Sequence, residues 1–274
     1  MKSKYIYSAL VTLAATVGLH AGALATQVQV TVENLTGEGG LYFTPLWVGF
    51  HDGGFDSFDV GGNASASIEA IAEGGDASGL RADFSASGGV DGVIVAPEGF
   101  GGAPVFDPGD LVSASFDVDP LSQAYFSFAS MVIPSNDAFI GNDDPMAYRI
   151  FDATGVFVGP VDILVTGAEV WDAGTELNDG LGAAFSTLGG TSTDEMMAIG
   201  VHGGLGALLG STTAAGTVID PVAGDFTQPG YALARITINA VPAPPTLAML
   251  ALGAVLVSSA RRRYRRAAAD LLAA

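Results

Sequence analysis

Acidic side chains near the ends of predicted strands are the residues of this sequence best suited to chemistry. Carboxylates and backbone carbonyls on turns can supply the roughly six to eight oxygen ligands that calcium takes. No EF-hand spacing is present, so only the fold can bring separate turns together. The alternative is that each acidic turn is solvated and binds nothing. The candidate residues fall into three groups: Asp117 with Asp119, Asn136 with Asp137, and Asp172 with Glu176 and Asp179.

Familiar catalytic motifs are absent. The sequence has no Gly-x-Ser-x-Gly elbow, no Walker loop and no His-Glu-x-x-His. Zinc sites usually need several His or Cys ligands, and His51 and His202, the histidines beyond the first 25 residues, are interpreted as ordinary strand-end residues. We therefore expect no enzyme. The alternative is a secreted hydrolase that acts on polysaccharide through paired carboxylates such as Asp172 and Glu176.

The charge is strongly negative and unevenly distributed. Residues 26–240 contain 28 acidic side chains against Arg81, Arg149 and Arg235, an excess of 25 negative charges. Such a surface repels phosphate, so nucleic acid is excluded as a partner. Bound divalent cations would relieve the self-repulsion, although an acidic surface can also serve solubility alone. Cysteine is absent, so disulfides cannot stabilise the domain.

The elements that must position the carboxylates are mostly strands. Val28, Val30 and Val32 alternate with polar residues, as in a half-buried strand. Residues 64–73 have helical spacing and end at two glycines, whereas residues 76–110 predict a short second helix and loops with little core. Many short strands with one or two short helices predict a mainly β protein, an antiparallel β-sandwich. The other predicted strands are 41–51, 111–118, 125–133, 148–151, 161–165, 196–201 and 231–240.

Two tryptophans can be interpreted either as core residues or as exposed platforms for a ligand. Trp47 is flanked by apolar residues in a predicted strand, and we expect it in the core. Trp171 directly precedes Asp172, and its role stays open.

The N-terminal residues 1–25 are typical of a signal peptide that forms an N-terminal signal helix. Lys2 and Lys4 provide the charged start, residues 9–19 are apolar, and the small residues Ala23 and Ala25 mark a cleavage site. The apolar run is short for a membrane anchor. We therefore expect the chain to be exported.

The C-terminal segment has three parts in a fixed order: a proline-rich motif at 241–245, an apolar helix at 246–260 and five arginines within 261–266. The arginines are expected to stay in the cytoplasm by the positive-inside rule, which places the domain outside. The apolar helix would be about 22 Å long, which is short for a permanent anchor, so the membrane contact of 246–260 is expected to be transient. A plain tail anchor is the alternative.

This arrangement at 241–266 resembles the PEP-CTERM sorting signal of Gram-negative bacteria, with Ala243 where the namesake motif has glutamate. The resemblance implies an exosortase as partner, which removes the tail and passes the protein from the inner membrane to the cell surface or the exterior. Residues 267–274 are then a short tail.

Residues 26–240 resemble a spondin N-terminal domain in its bacterial form. Two blocks are distinctive, Pro-Ser-Asn-Asp-Ala-Phe at 134–139 and Asp-Ala-Gly-Thr-Glu at 172–176. They occur in the expected order with residues 44–52, 64–75 and 234–238. This chain lacks the cysteines and basic patches of the animal proteins, so their glycan and receptor partners are not implied.

The resemblance implies a β-sandwich that holds one structural calcium ion at one end. The implied metal ligands are Asp117, Asp137 and Asp172, with Asp119 as an alternative to Asp117. Whether Glu176 or Asp179 also contributes stays open. The implied function is a secreted or cell-surface protein of the extracellular matrix, adhesive or structural, with exopolysaccharide or other matrix components as partners.

Overall fold

The computed structural model describes residues 25–96 and 100–242, and its architecture is mainly antiparallel β-sheet with two short helices. Nearly all of the predicted signal peptide, and the apolar helix and arginines of the predicted sorting signal, lie outside the described residues. Within those residues, no helix combines the length and the apolar character needed to cross a bilayer. The elements are named in chain order.

The described strands are β1 Thr26–Asn34, β2 Tyr42–Phe43, β3 Leu46–His51, β4 Val90–Ile94, β5 Leu111–Val118, β6 Tyr125–Ile133, β7 Ala138–Gly141, β8 Tyr148–Arg149, β9 Val161–Thr166, β10 Val170–Asp172, β11 Gly200–Val201 and β12 Ala232–Ala240. The helices are α1 Ala66–Gly74 and α2 Ser78–Phe84. One sheet has the order β5-β1-β12-β9, and the other has the order β11-β10-β7-β6-β3-β4. Strands β2 and β8 both pair with β6.

The two sheets share one apolar core. Alternation along β1 buries Val28, Val30 and Val32 completely, as the sequence predicted, because β1 is paired on both sides by β12 and β5. These valines belong to the same buried cluster as Phe50 of β3 and Phe126 of β6. The facing sides of the two sheets therefore form the apolar core, and polar residues of β1 and β5 such as Gln29 and Ser115 alternate onto the outer face.

Helix α1 lies against the larger sheet and confirms the predicted helix. The Ser65 hydroxyl accepts a hydrogen bond from the Ile68 amide at 3.2 Å, which caps the N-terminus. Gly75 ends the helix at φ 70°, a left-handed conformation that glycine adopts without a Cβ penalty. The buried face packs in two small clusters with residues of β3, β6, β7 and α2.

Residues 76–110 contribute far more core than the sequence predicted. Phe84, Phe100 and Phe106 are all at most 4% exposed, and β4 pairs with β3 along the edge of the larger sheet. Glycine makes this packing possible, because a Cβ on Gly92 would lie 2.7 Å from the Phe116 ring. Two of the glycines in this segment, Gly89 and Gly92, therefore allow close approach to aromatic rings instead of marking loops.

Short strands account for the other differences from the predicted pattern. The predicted strand 41–51 is divided into β2 and β3 around Pro45, which lacks an amide hydrogen for the ladder. Only Gly200 and Val201 of the predicted strand 196–201 pair with β10. Strands β7 and β10 were not predicted, and both are adjacent to the acidic turns of interest.

Candidate metal centre

The turn between β6 and β7 places Asp137 in the interior. Ser135 organises this turn, because its hydroxyl donates to the Val132 carbonyl and accepts from the Ala138 amide at 3.1 Å. Asn136 ties the turn to a distant loop, since its side chain donates to the Leu181 carbonyl and accepts from the Gly180 amide. Asp137 is 0% exposed as a result.

One oxygen of the Asp137 carboxylate accepts several hydrogen bonds, and the other accepts none from the described residues. Oδ2 accepts from the Thr175 and Glu176 amides at 2.8 and 3.1 Å, and from the Thr175 hydroxyl at 3.3 Å. Oδ1 is buried and has no hydrogen-bond partner among the described residues. A buried polar atom without a partner costs about 1–3 kcal/mol, and more when it is charged. A bound cation, a proton on a neighbouring acid or an ordered water would each satisfy this oxygen.

Asp172 is the nearest carboxyl group, at the end of β10. Its Oδ1 accepts from the Gly174 amide and its Oδ2 from the Asn178 side chain, both at 2.8 Å. Burial, then the charge of Asp137, raises the pKa of Asp172 to about 6. A hydrogen bond to Asp137 adds to the shift. Below this pKa, a proton on Asp172 can therefore serve Asp137 in the absence of a metal ion.

His202, just after β11, completes the cluster. A carboxylate oxygen of Asp137, one of Asp172 and a ring nitrogen of His202 all lie within 4.8 Å of one another. Nδ1 accepts from the Gly204 amide at 3.1 Å, so Nε2 carries the hydrogen and donates to Asn178 Oδ1 at 2.9 Å. Burial lowers the pKa of His202, which keeps the ring neutral. The His202 ring orients the side-chain amide of Asn178, so that the amide nitrogen donates to Asp172.

Further acidic side chains surround the cluster. Burial raises the pKa of Glu73, at the end of α1, despite a hydrogen bond from Thr175, and the charges of Glu176 and Asp137 raise it further. The charge of Glu195 contributes to the raised pKa of Asp172. In the described part of the chain, the two ion pairs, Arg81 with Asp91 and Arg235 with Asp162, lie elsewhere.

The donor set fits a hard divalent cation. Carboxylate oxygens are the ligands that calcium, magnesium and manganese prefer. Both nitrogens of His202 are engaged in hydrogen bonds, so nitrogen ligation would break a contact. Each Asp172 oxygen accepts one hydrogen bond and Asp137 Oδ1 accepts none, so these oxygens keep lone pairs for a metal ion. The residues present can therefore hold one metal ion through oxygen.

The structure brings together two of the three residues that the spondin resemblance implies. Asp117 is not in the cluster: it is exposed on β5, in the smaller sheet, where it accepts from the Gln27 side chain at 3.3 Å. Asp119 caps its own turn by accepting from the Leu121 amide. Asp179 accepts from the Leu181 amide in the same way, and Glu176 contacts Asn136 at 3.4 Å.

His202 is the cluster residue that sequence reasoning missed. It was interpreted as an ordinary strand-end histidine, and 30 residues separate it from Asp172 along the chain. Its position depends on the pairing of Trp171 with Val201, which places the end of β11 beside β10. No local spacing in the sequence signals that pairing.

Comparison with known proteins finds no family model that matches the chain and no similar curated protein.

Proposed function

We propose that this chain is an exported, spondin-like β-sandwich protein of the cell surface or extracellular matrix that binds one structural calcium ion. Asp137 and Asp172 hold the ion, and the adhesive or structural role follows from the resemblance over residues 26–240. The observation that carries the proposal is the buried Asp137 oxygen without a hydrogen-bond partner beside the half-buried carboxyl group of Asp172. The third implied ligand, Asp117, is not needed for the proposed site.

The structural role of the ion follows from the loops that meet at the site. Asp137 links the β6–β7 turn to Thr175 and Glu176, and Asp172 links β10 to Asn178. An ion bound to both carboxylates would cross-link these segments and cancel their repulsion. A ligand that binds only the folded state stabilises it by mass action, by about 2.7 kcal/mol at a concentration 100 times Kd.

Thermal melting of the full-length chain, with calcium and after chelation, tests whether a bound calcium ion stabilises the fold. We expect a loss of several degrees in Tm on chelation and full recovery when calcium is restored. Asp137→Asn should remove the difference, whereas Asp117→Asn, with the same change in charge on the other sheet, should keep it. Identical melts with and without chelator would contradict a structural ion, and recovery with zinc but not calcium would contradict the oxygen-ligated site.

The proposed itinerary is export through the signal peptide, transient anchoring through 246–260 and processing by an exosortase. It is supported by the order of motifs in the sequence. Mass spectrometry of the native extracellular protein tests it, because the method reports both termini. A product that begins near residue 26 and ends near Val241 is expected, and an intact arginine tail would contradict processing.

A second candidate function, a carboxylate-dependent polysaccharide hydrolase, is favoured by the raised pKa of Asp172 beside Asp137, which is a feature of general acids. The argument against a hydrolase is that a polysaccharide cannot reach Asp137, which is 0% exposed. Turnover of a polysaccharide panel that disappears in Asp172→Asn would establish the hydrolase. Binding without turnover would support the adhesive role.

A further inference from the structure

A groove at the end of β7 has a composition that the proposed metal centre does not explain. It has a volume of about 260 Å³ and is called here the Trp171 groove. Aromatic side chains and carboxylates line it together. The residues that define it are Phe128, Tyr148, Trp171, Asp143, Asp144 and Glu169.

The aromatic side of the groove is held in place from behind. Trp171 donates from Nε1 to the Gly141 carbonyl at 2.9 Å, and its ring lies 6.1 Å from the buried Phe58 ring. Tyr148 lies 6.1 Å from Phe128, which is only 2% exposed and forms part of the inner wall. Trp171 and Tyr148 are themselves half-buried, so both can contact a ligand without a change of core packing.

The acidic side of the groove has free hydrogen-bonding capacity. One oxygen of Asp143 accepts from the Val60 amide at 2.6 Å, and one oxygen of Asp144 accepts from the Met146 amide at 2.8 Å. Glu169 is fixed by Thr166, which donates from its amide and its hydroxyl to Oε2. The second oxygen of each carboxylate has no protein partner among the described residues.

Basic side chains do not neutralise this rim in the described part of the chain. Arg149, nearby in β8, donates to the Phe151 carbonyl and lies over the Tyr125 ring instead. The negative charge of the rim also affects Asp56. Burial raises the pKa of Asp56 first, and the charges of Asp59, Asp143 and Asp144 raise it further. The groove is therefore apolar at its inner end and negatively charged at its mouth.

We propose that the Trp171 groove binds a protonated amine carried on a compact ring, as in a hexosamine unit. The ring would contact Trp171 and Tyr148, and the ammonium group would face the carboxylates of Asp143 and Asp144. Aromatic faces attract cations through the ring quadrupole, and carboxylates with free oxygens add charge-assisted hydrogen bonds. A neutral sugar could use the rings but would leave the rim charge uncompensated.

The proposed site is separate from the metal centre. Trp171 and Asp172 are adjacent in β10, so their side chains project to opposite faces of the strand. The proposal therefore stands whether or not Asp137 and Asp172 bind a cation. Tests are run at saturating calcium, so that an added amine does not act by competing there.

The chain offers a direct spectroscopic readout, because it contains two tryptophans. Trp47 is 0% exposed and donates from Nε1 to Asp91, so its indole N–H signal serves as an internal reference. We expect glucosamine and cyclohexylamine to shift the Trp171 indole signal of the full-length chain in NMR titrations at fixed ionic strength. The expected Kd is on the order of millimolar for ligands of this size. The Trp171→Phe variant lacks the Trp171 indole signal and so identifies it in the spectrum.

Neutral analogues of each probe measure how much the ammonium charge contributes to binding. Glucose and N-acetylglucosamine match glucosamine, and cyclohexanol matches cyclohexylamine, without the ammonium group at neutral pH. We expect at least tenfold weaker binding of these neutral compounds. Equal shifts with neutral and cationic probes, or no shift of the Trp171 signal with any amine, would overturn the proposal. Tighter binding of a glucosamine oligomer than of cyclohexylamine would identify a polysaccharide as the source of the amine.

Variants at the rim complete the test. Asp143→Asn combined with Asp144→Asn keeps an oxygen acceptor for each backbone amide but removes both charges, so amine binding should weaken at least tenfold. Asp117→Asn on the smaller sheet is the matched control and should bind as the parent does. If the double variant unfolds, Asp144→Asn alone should weaken binding about threefold. Unchanged affinity in a folded rim variant would contradict the proposal.

Discussion

Asp172 is the residue at which a proton and a metal ion would compete. Its carboxyl group lies next to Asp137, and burial together with that neighbouring charge raises its pKa to about 6. A metal ion needs the deprotonated form, so binding must release the proton. The same group would therefore control both the affinity of the proposed metal centre and the stability of the metal-free protein.

Calcium affinity should fall at acidic pH. Below the raised pKa of Asp172, about 6, one proton must leave for each ion bound, so Kd should increase about tenfold per pH unit. Calorimetric titrations between pH 5 and pH 8 would measure this, with proton release detected by buffers of different ionisation enthalpy. A Kd that stays constant below pH 6 would exclude Asp172 as a ligand.

The metal-free protein should show the opposite dependence. Because the folded pKa of Asp172 is raised above 3.8 to about 6, its protonated form stabilises the fold, and this contribution is present below pH 3.8 and lost as pH rises through 6. We expect the contribution of this site to the free energy of unfolding of calcium-stripped protein to decrease over that interval. Asp172→Asn should flatten the dependence when it is compared with the parent, and a parallel pair of profiles would contradict the assignment.

Two of the three ligands that the spondin resemblance implies, Asp137 and Asp172, lie together in the structure, and each belongs to a distinctive sequence block directly beside a strand. Asp117 could not be placed in the same way, since its assignment assumed that a carboxylate late in β5 reaches the turns of the other sheet. Alternation along β5 puts it with Ser113 and Ser115 on the exposed face. His202 requires a two-residue pairing of β11 that no periodicity reveals.

At the scale of elements, long strands were predictable and short ones were not. Strands β5 and β6 have the predicted bounds, because eight or nine residues carry enough alternation or apolar character to be recognised. Strands β7 and β10, of four and three residues, are defined by their partners in the larger sheet. Strand β4 was missed because the Gly-, Ala- and Ser-rich composition of residues 76–110 suggested loops.

Gly92 should be intolerant of a side chain. A Cβ there would lie 2.7 Å from the Phe116 ring, where β4 packs against β5, so Gly92→Ala should lower the free energy of unfolding by about 1–3 kcal/mol. Gly74→Ala is the matched control, because a Cβ at that position would meet no other atom within 4 Å and alanine favours helix. Denaturant melts at saturating calcium would measure both. Equal stability of the two variants would contradict the close packing of Phe116.

At the scale of the whole molecule, charge is the dominant feature. An excess of 25 negative charges over residues 26–240 opposes compaction, and the two ion pairs of the described residues are both partly exposed. A single divalent ion would offset only a small share of this repulsion, because its effect is local. Dissolved salt would screen the remaining repulsion between the acidic side chains.

Salt should therefore stabilise the calcium-free protein. Raising potassium chloride from about 0.02 to about 0.5 M shortens the Debye length from roughly 20 Å to roughly 4 Å, and we expect Tm to rise by several degrees. Differential scanning calorimetry at neutral pH would measure the shift, with an equal osmolarity of sucrose as the control for effects not due to charge. A Tm that falls or stays constant with salt would show that self-repulsion does not limit stability.

The pairing of β1 with β12 joins the two ends of the domain in one ladder. During synthesis, β1 emerges first but acquires this neighbour only after β2 to β11 have all followed. The smaller sheet therefore stays incomplete until the last strand is available, so its folding must wait for nearly the whole domain. The β12 strand ends at Ala240, and the amide of the next residue, Val241, still donates to the Gln27 carbonyl of β1 at 2.8 Å. A cut within the proline-rich motif after Val241 would therefore leave the ladder intact.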